Sequence, residues 1–118
     1  MIDPHLHDVI ETLYPRQSED PAQATPVAGA LGTIVQIYDD GACEVEFTDG
    51  MGQTVISQVL TRDQFIIVWC AKTGEAVSLS EQVAQIVTLL PEGSGTEVLD
   101  FARFLSLRSV KATEDLTR

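Results

Sequence analysis

The sequence predicts an α+β protein in which a small β-barrel of about five strands precedes a helical hairpin. Up to about residue 72, apolar residues either alternate with polar ones or run continuously between turn residues, a pattern typical of short strands. After residue 77, apolar residues recur every three or four positions, as in amphipathic helices. We expect a barrel in residues 1–72, a helical hairpin in residues 78–108 and a flexible tail in residues 109–118, with the boundary between Thr73 and Val77.

The predicted strands are separated by residues that favour turns. They span residues 7–13, 32–38, 42–47, 53–60 and 65–70, with a helical turn at 61–64 and a long Pro/Ala loop at 14–30. Between residues 42 and 47 apolar side chains alternate with Glu44 and Glu46, so these glutamates are expected to face water. Closure into a barrel removes the edges that such apolar strands otherwise expose.

Residues 5–69 also contain a recognisable arrangement of glycines and short strands. The glycines at 29 and 32 lead into a Thr-Ile-Val strand at 33–35, and a Val-Glu-Phe segment follows at 45–47. This part of the chain resembles a family of small bacterial domains of unknown function with an SH3-like barrel. The resemblance implies that fold and implies no catalytic residues.

The C-terminal part predicts two helices. Ser78 begins a capping box, and Pro91 ends the first helix. The apolar stripe of this helix consists of Leu79, Val83, Ile86, Val87 and Leu90. After a turn at 92–95, a second helix with Thr96 as its N-cap runs to about Arg108. Its stripe consists of Val98, Phe101, Ala102 and Leu105, widened by Leu99 and Phe104.

The same residues have a distinctive order. A Leu-Pro-Glu turn at 90–92 is followed by a Val-Leu-Asp-Phe-x-x-Phe-Leu segment at 98–105. Residues 78–108 therefore resemble a short family described as antitoxin-like. The resemblance implies an amphipathic helix that binds in a groove on a basic nuclease toxin.

The chain is strongly acidic, with Asp+Glu 18 against Lys+Arg 7 and a formal net charge of -11. Residues 1–75 carry 12 acids and three bases, giving -9, whereas residues 76–118 carry six acids and four bases, giving -2. This charge repels phosphate backbones and anionic membranes, so we expect no direct binding to nucleic acid or membranes. The complementary partner is a basic protein.

No segment indicates export, membrane insertion or redox chemistry. The N-terminus lacks a basic region with an apolar run, and no window approaches the roughly 20 apolar residues of a membrane helix, so we expect a cytoplasmic protein. Cys43 and Cys70 are far apart in sequence, and each lies in an apolar strand. Buried free thiols are the main expectation, and a disulfide stays open if the two strands are neighbours.

Two groups of polar side chains are candidates for chemistry. His5 and His7 have the spacing of metal ligands, but no further histidine completes a tight site, so a frayed terminus is the expected alternative and no metal is predicted. The carboxylate pairs are Asp39 with Asp40 and Glu44 with Glu46. They lie at a turn and on a solvated strand face, whereas catalytic carboxylates need a cleft. We expect no enzyme activity and no cofactor.

Trp69, with Tyr38 and Phe65, offers a third candidate, an aromatic groove for peptides. A tryptophan in an apolar strand is more often part of the core, and we expect that here.

The helical hairpin carries the functional expectation. A helix of about 12 residues is marginal in water, so its apolar stripe must be buried against the barrel, a second copy of the chain or a different protein. We expect a non-enzymatic protein-interaction module that is an antitoxin-like or regulatory partner of another, basic protein such as a toxin or nuclease. The alternative is an assembly subunit that self-associates or docks on a larger complex. The expected partner-binding residues are Val83, Ile86, Val87, Leu90, Val98, Phe101, Phe104 and Leu105.

Overall fold

The computed structural model describes residues 2–13, 28–48 and 51–116, with the backbone alone at 54, 55 and 111–116. The elements in these residues are β1 (Val9–Thr12), β2 (Leu31–Ile37), β3 (Cys43–Thr48), β4 (Thr54–Leu60), a 3-10 turn (Arg62–Gln64), β5 (Phe65–Cys70), β6 (Glu75–Ala76), α1 (Leu79–Leu89) and α2 (Glu92–Leu116). The predicted α+β layout is confirmed. Residues 14–27, which hold most of the predicted Pro/Ala loop, lie outside the described residues.

The six described strands form one antiparallel sheet with the order β4-β3-β2-β1-β5-β6. β1 lies inside the sheet because the chain adds β2, β3 and β4 on one side of it and then places β5 and β6 on the other. Among the described strands β4 and β6 are edges, so the sheet is open and does not close into the predicted barrel. The reason is that the edge of β5 opposite β1 is occupied by β6 and by the Gln85 amide, so β4 does not pair with it.

One face of the sheet forms the hydrophobic core. Its buried residues are Ile10, Ile34, Cys43, Val45, Phe47, Ile56, Leu60, Phe65, Ile67 and Val77. In β3 the predicted alternation is confirmed, because Glu44 and Glu46 are more exposed than their apolar neighbours. Gly32 allows β2 to pass close to β3 side chains, since a Cβ there would lie 2.5 Å from the Val45 side chain and 2.9 Å from the Phe47 ring.

A buried carboxylate joins the N-terminal segment to the turn after β5. Asp8 is 1% exposed. Its Oδ2 accepts a hydrogen bond from the His5 backbone N–H (2.8 Å), and its Oδ1 accepts one from the Ala71 backbone N–H (2.9 Å). The backbone of residues 7 and 8 is hydrogen-bonded to β2, because His7 N–H donates to Ile34 O (2.8 Å) and Ile34 N–H donates to Asp8 O (3.0 Å). Residues 5–8 are therefore bound into the sheet and are not a frayed terminus.

A second buried polar group, the Gln85 amide, fixes α1 to β5. Gln85 is 1% exposed. Its Nε2 donates to Ile67 O (2.8 Å), and its Oε1 accepts from Ile67 N–H (2.7 Å). The side-chain amide thus satisfies both backbone groups of one strand residue, as a neighbouring strand would.

Arg62 completes this arrangement from the 3-10 turn. Its Nη2 donates to Gln85 Oε1 (3.0 Å), and its Nη1 donates to Phe65 O (2.8 Å). The guanidinium carbon lies 5.1 Å from the centre of the Phe65 ring, within the range of a cation–π contact. Burial lowers the pKa of Arg62 from its usual value. The Gln85 and Arg62 side chains therefore link the N–H and C=O of Ile67 with the C=O of Phe65.

The helices differ from the prediction at both ends of α2. The predicted turn at 92–95 is helical, because Gly95 N–H donates to Pro91 O (3.1 Å) and begins the helical bonding. Thr96, the predicted N-cap, lies inside the helix, where its hydroxyl is 3.4 Å from Glu92 O. α2 then continues to Leu116, through most of the segment predicted to be a flexible tail. For α1 the predicted cap is confirmed, since Ser78 Oγ accepts from Glu81 N–H (3.2 Å).

The chain divides into two compact units, Met1–Gln85 and Ile86–Arg118. The division falls later than the predicted boundary because Gln85 ties the first turns of α1 to β5. In the described residues, neither helix combines the length and apolar character needed to cross a membrane.

We predict that Gln85→Leu lowers the free energy of unfolding by about 2–4 kcal/mol, because leucine leaves the N–H and C=O of Ile67 buried without partners. Urea denaturation of the full chain measures this. Gln82→Leu is the matched control, because the partly buried Gln82 amide makes a single bond to Val77 O (3.0 Å) and its loss should cost about 1 kcal/mol or less. Equal losses in the two variants would contradict the role given to Gln85.

Candidate protein-binding surface

The eight predicted partner-binding residues divide into two groups by exposure. Val83, Phe101 and Phe104 are exposed, at 46%, 63% and 56%. Ile86, Val87, Leu90, Val98 and Leu105 are half-buried. The exposed members are therefore available for contact with another molecule.

Four further apolar side chains on the helices are exposed and were not among the predicted binding residues. These are Leu79 (78%), Leu99 (49%), Leu107 (73%) and Val110 (55%). Leu107 and Val110 lie at and beyond the predicted end of the second helix. The signal that identifies them is the continuation of apolar residues at three-residue spacing after Phe104.

The largest exposed apolar side chains on α2 share one side of the helix. Phe101, Phe104 and Leu107 follow at three-residue intervals, so successive side chains are rotated by about 60° around the axis. The rings of Phe101 and Phe104 are stacked with their centroids 6.3 Å apart. We refer to these three residues as the aromatic face. Their exposure makes this face the strongest candidate for protein binding, since exposed aromatic clusters mark interaction sites.

Charged residues border the aromatic face. The Arg108 guanidinium carbon lies 5.9 Å from the centre of the Phe104 ring. Arg103 Nη1 lies 3.2 Å from Asp100 Oδ1 in an exposed ion pair one turn apart. Exposed pairs of this kind contribute little to stability.

The predicted histidine candidate does not form a metal cluster in the described part of the chain, where no group of three potential ligands was found. Both oxygens of Asp8 accept backbone hydrogen bonds. His5 Nδ1 lies 4.0 Å from Asp8 Oδ2, and His7 is exposed with a φ of 72°. The Asp8 carboxylate, which accepts from the His5 backbone N–H, therefore supports the N-terminal turn.

The other candidates lie in separate places. Phe65 is fully buried and Trp69 is half-buried, whereas Tyr38 is 36% exposed, so Phe65 contributes to the core and not to a surface groove. Asp40 Oδ1 accepts from Ala42 N–H (3.0 Å), which assigns it to the β2–β3 turn. Glu44 and Glu46 lie on the partly exposed face of β3.

The cysteines are both free thiols. Cys43 is in β3 and Cys70 is in β5, and β2 and β1 lie between these strands, so the two strands are not neighbours. Cys43 is fully buried, as predicted, while Cys70 is half-buried. Burial raises the pKa of both thiols from the usual value, and for Cys70 the Asp8 carboxylate adds to the effect.

Comparison with known proteins gives one finding. A family model described as "Domain of unknown function (DUF4926)" matches residues 6–67, which run from the N-terminal segment into β5. No curated protein and no solved structure matches the chain.

We predict that the stability of the protein falls as the pH rises above about 8.5, the usual pKa of a thiol. The folded-state pKa of Cys43 is raised, so as the pH rises the thiol ionises in the unfolded chain before it ionises in the folded one. The unfolded chain is then stabilised relative to the folded one, and the free energy of unfolding falls. Denaturation over a pH series measures the slope. Cys43→Ala should flatten it, and an unchanged slope in this variant would contradict the assignment.

Proposed function

Since the chain belongs to the family described as "Domain of unknown function (DUF4926)", whose description gives no activity, we propose a function from the geometry: a non-enzymatic, cytoplasmic protein-interaction module. In this proposal α2 is the binding element, and unit Met1–Gln85, which contains the sheet and is called the sheet unit below, carries it. The observation that supports the proposal is the exposure of Phe101, Phe104 and Leu107 on one side of a 25-residue helix.

The aromatic face offers substantial binding energy. Complete burial of a Phe or Leu side chain contributes about 1.5–3 kcal/mol. All three side chains of the face are more than half exposed, so a partner that covers them gains several kcal/mol before the cost of association is subtracted. A helix with such anchors three residues apart suits a groove on a protein surface.

The charge of the sheet unit favours a basic partner. Residues 1–75 carry a net charge of -9, and a field of that sign attracts a basic protein at long range. The resemblance of residues 78–108 to an antitoxin-like family gives this partner a chemical class, a basic toxin or nuclease, and gives the chain a neutralising or regulatory role. In this proposal the six-stranded sheet is the scaffold of the acidic surface.

Association with such a partner depends on salt in a defined way. Because attraction between the acidic sheet unit and a basic protein acts at long range, added salt should slow association more than it speeds dissociation. Stopped-flow binding at several ionic strengths measures both rates. An association rate that does not change with salt would remove the electrostatic part of the proposal.

A second candidate function is that of an assembly subunit that binds a further copy of itself through α2. The order of charges over residues 97–111 of this helix favours it, because acidic Glu97 and Asp100 precede basic Arg103, Arg108 and Lys111. Such a helix complements itself when two copies run in opposite directions.

Site-specific photo-crosslinking in native cells tests whether α2 binds protein at all. A photoreactive phenylalanine analogue at position 101 or 104 should crosslink to protein, because these side chains lie on the aromatic face. Ser106 is the matched control, since it is exposed on the opposite side of the same helix. No protein adduct at 101 and 104, or equal adducts at all three positions, would contradict the proposal.

A further inference from the structure

We infer that the aromatic face is covered by α2 of a second copy of this chain, running antiparallel, with the two Phe104 side chains at the two-fold axis. This inference rests on the proposed function in its assembly form, since it requires α2 to bind protein. It specifies the partner, the orientation of the two helices and the residue at the centre.

The first argument is the position of Phe104 within the helix. α2 spans Glu92–Leu116, so Phe104 is its central residue, with twelve helical residues on either side. An antiparallel pair centred there overlaps along the whole helix, about 37 Å at 1.5 Å per residue. Pairing over the full length gives the largest contact that one helix can make with its copy.

The second argument is the placement of the apolar side chains about that centre. In an antiparallel pair, a residue lies level with the partner residue at the same distance beyond Phe104. Phe101 and Leu107 are both three residues from Phe104, so each lies level with the other's copy. Both are strongly exposed, at 63% and 73%. The two-fold arrangement therefore brings six large apolar side chains together and removes them from water.

The third argument is charge. Asp100 and Arg108 are each four residues from Phe104, on opposite sides of it. In the antiparallel pair Asp100 of one copy is level with Arg108 of the other, and this pairing occurs twice. In a parallel pair Asp100 would lie beside Asp100 and Arg108 beside Arg108, which is repulsive. The charges on this part of α2 therefore favour the antiparallel orientation.

The fourth argument is the Arg108 side chain itself. Its guanidinium already lies over the Phe104 ring of the same helix, 5.9 Å from the centroid. At the two-fold axis it comes close to the aromatic side chains of both copies. Arginine beside aromatic rings is a common feature of interface centres.

Sedimentation equilibrium of the full chain over a concentration series measures the dissociation constant of the dimer. Phe104→Glu places two carboxylates at the axis and should raise this constant by roughly 100-fold or more. Ser106→Glu is the control and should leave it within about two-fold, since Ser106 lies on the opposite side of the helix. Circular dichroism of each variant verifies that the helix is retained.

Charge reversal tests the orientation. Asp100→Arg and Arg108→Asp should each raise the dissociation constant by roughly 5- to 30-fold, because each creates two like-charge contacts. The double variant exchanges the two charges and should return the constant to within about three-fold of the original. Failure of the double variant to recover binding would overturn the antiparallel arrangement.

The outcomes separate this inference from the proposed function. A chain that stays monomeric at all concentrations, while position 101 crosslinks to a different protein, overturns self-pairing and leaves the interaction module intact. A monomeric chain with no crosslink at 101 or 104 overturns both. A dimer that Phe104→Glu dissociates and Ser106→Glu does not supports both.

Discussion

The fold depends on the Gln85 amide, which takes the place of a neighbouring strand for Ile67. β5 is paired with β1 along one side, while β6 covers only Trp69 and Cys70 on the other. Without Gln85 the N–H and C=O of Ile67 would be buried without partners, at a cost comparable to a large part of a small domain's stability. The same amide oxygen accepts from Arg62, so one side chain joins the 3-10 turn, the strand and the helix.

The attachment of α1 through Gln85 leaves apolar side chains of this helix exposed. The first turns of α1 are attached to the sheet by a polar contact, so its apolar residues are not needed for that attachment, and Leu79 and Val83 remain exposed. α2 is longer still and is exposed along most of its length. Unit Met1–Gln85 contains its own hydrophobic core, and the exposed apolar residues of α2 are those that we propose to bind another molecule.

Local signals in the sequence were sufficient for β2 to β5 and insufficient for β6 and for the contacts between elements. The bounds of β5 match the prediction, and those of β2, β3 and β4 fall within one residue of it, because alternation and turn residues act within a few positions. The burial of Gln85 could not be predicted, because it depends on a contact with Ile67 in β5, 18 residues earlier in the chain. α2 begins earlier than predicted, because Gly93 and Gly95 have low helix propensity and favoured a turn there. It also ends later than predicted, so the exposed Val110 lies outside the predicted helix.

The position of β1 also constrains how the chain emerges during synthesis. β1 is the first of the described strands in sequence order, yet it pairs with β5, and the Asp8 carboxylate beside it accepts from the Ala71 N–H, 63 residues later in the sequence. β2, β3 and β4 pair as consecutive hairpins on one side of β1, so the other edge of this strand stays open until β5 has left the ribosome. An inner strand of the finished sheet is thus exposed along one edge while most of the sheet is being made.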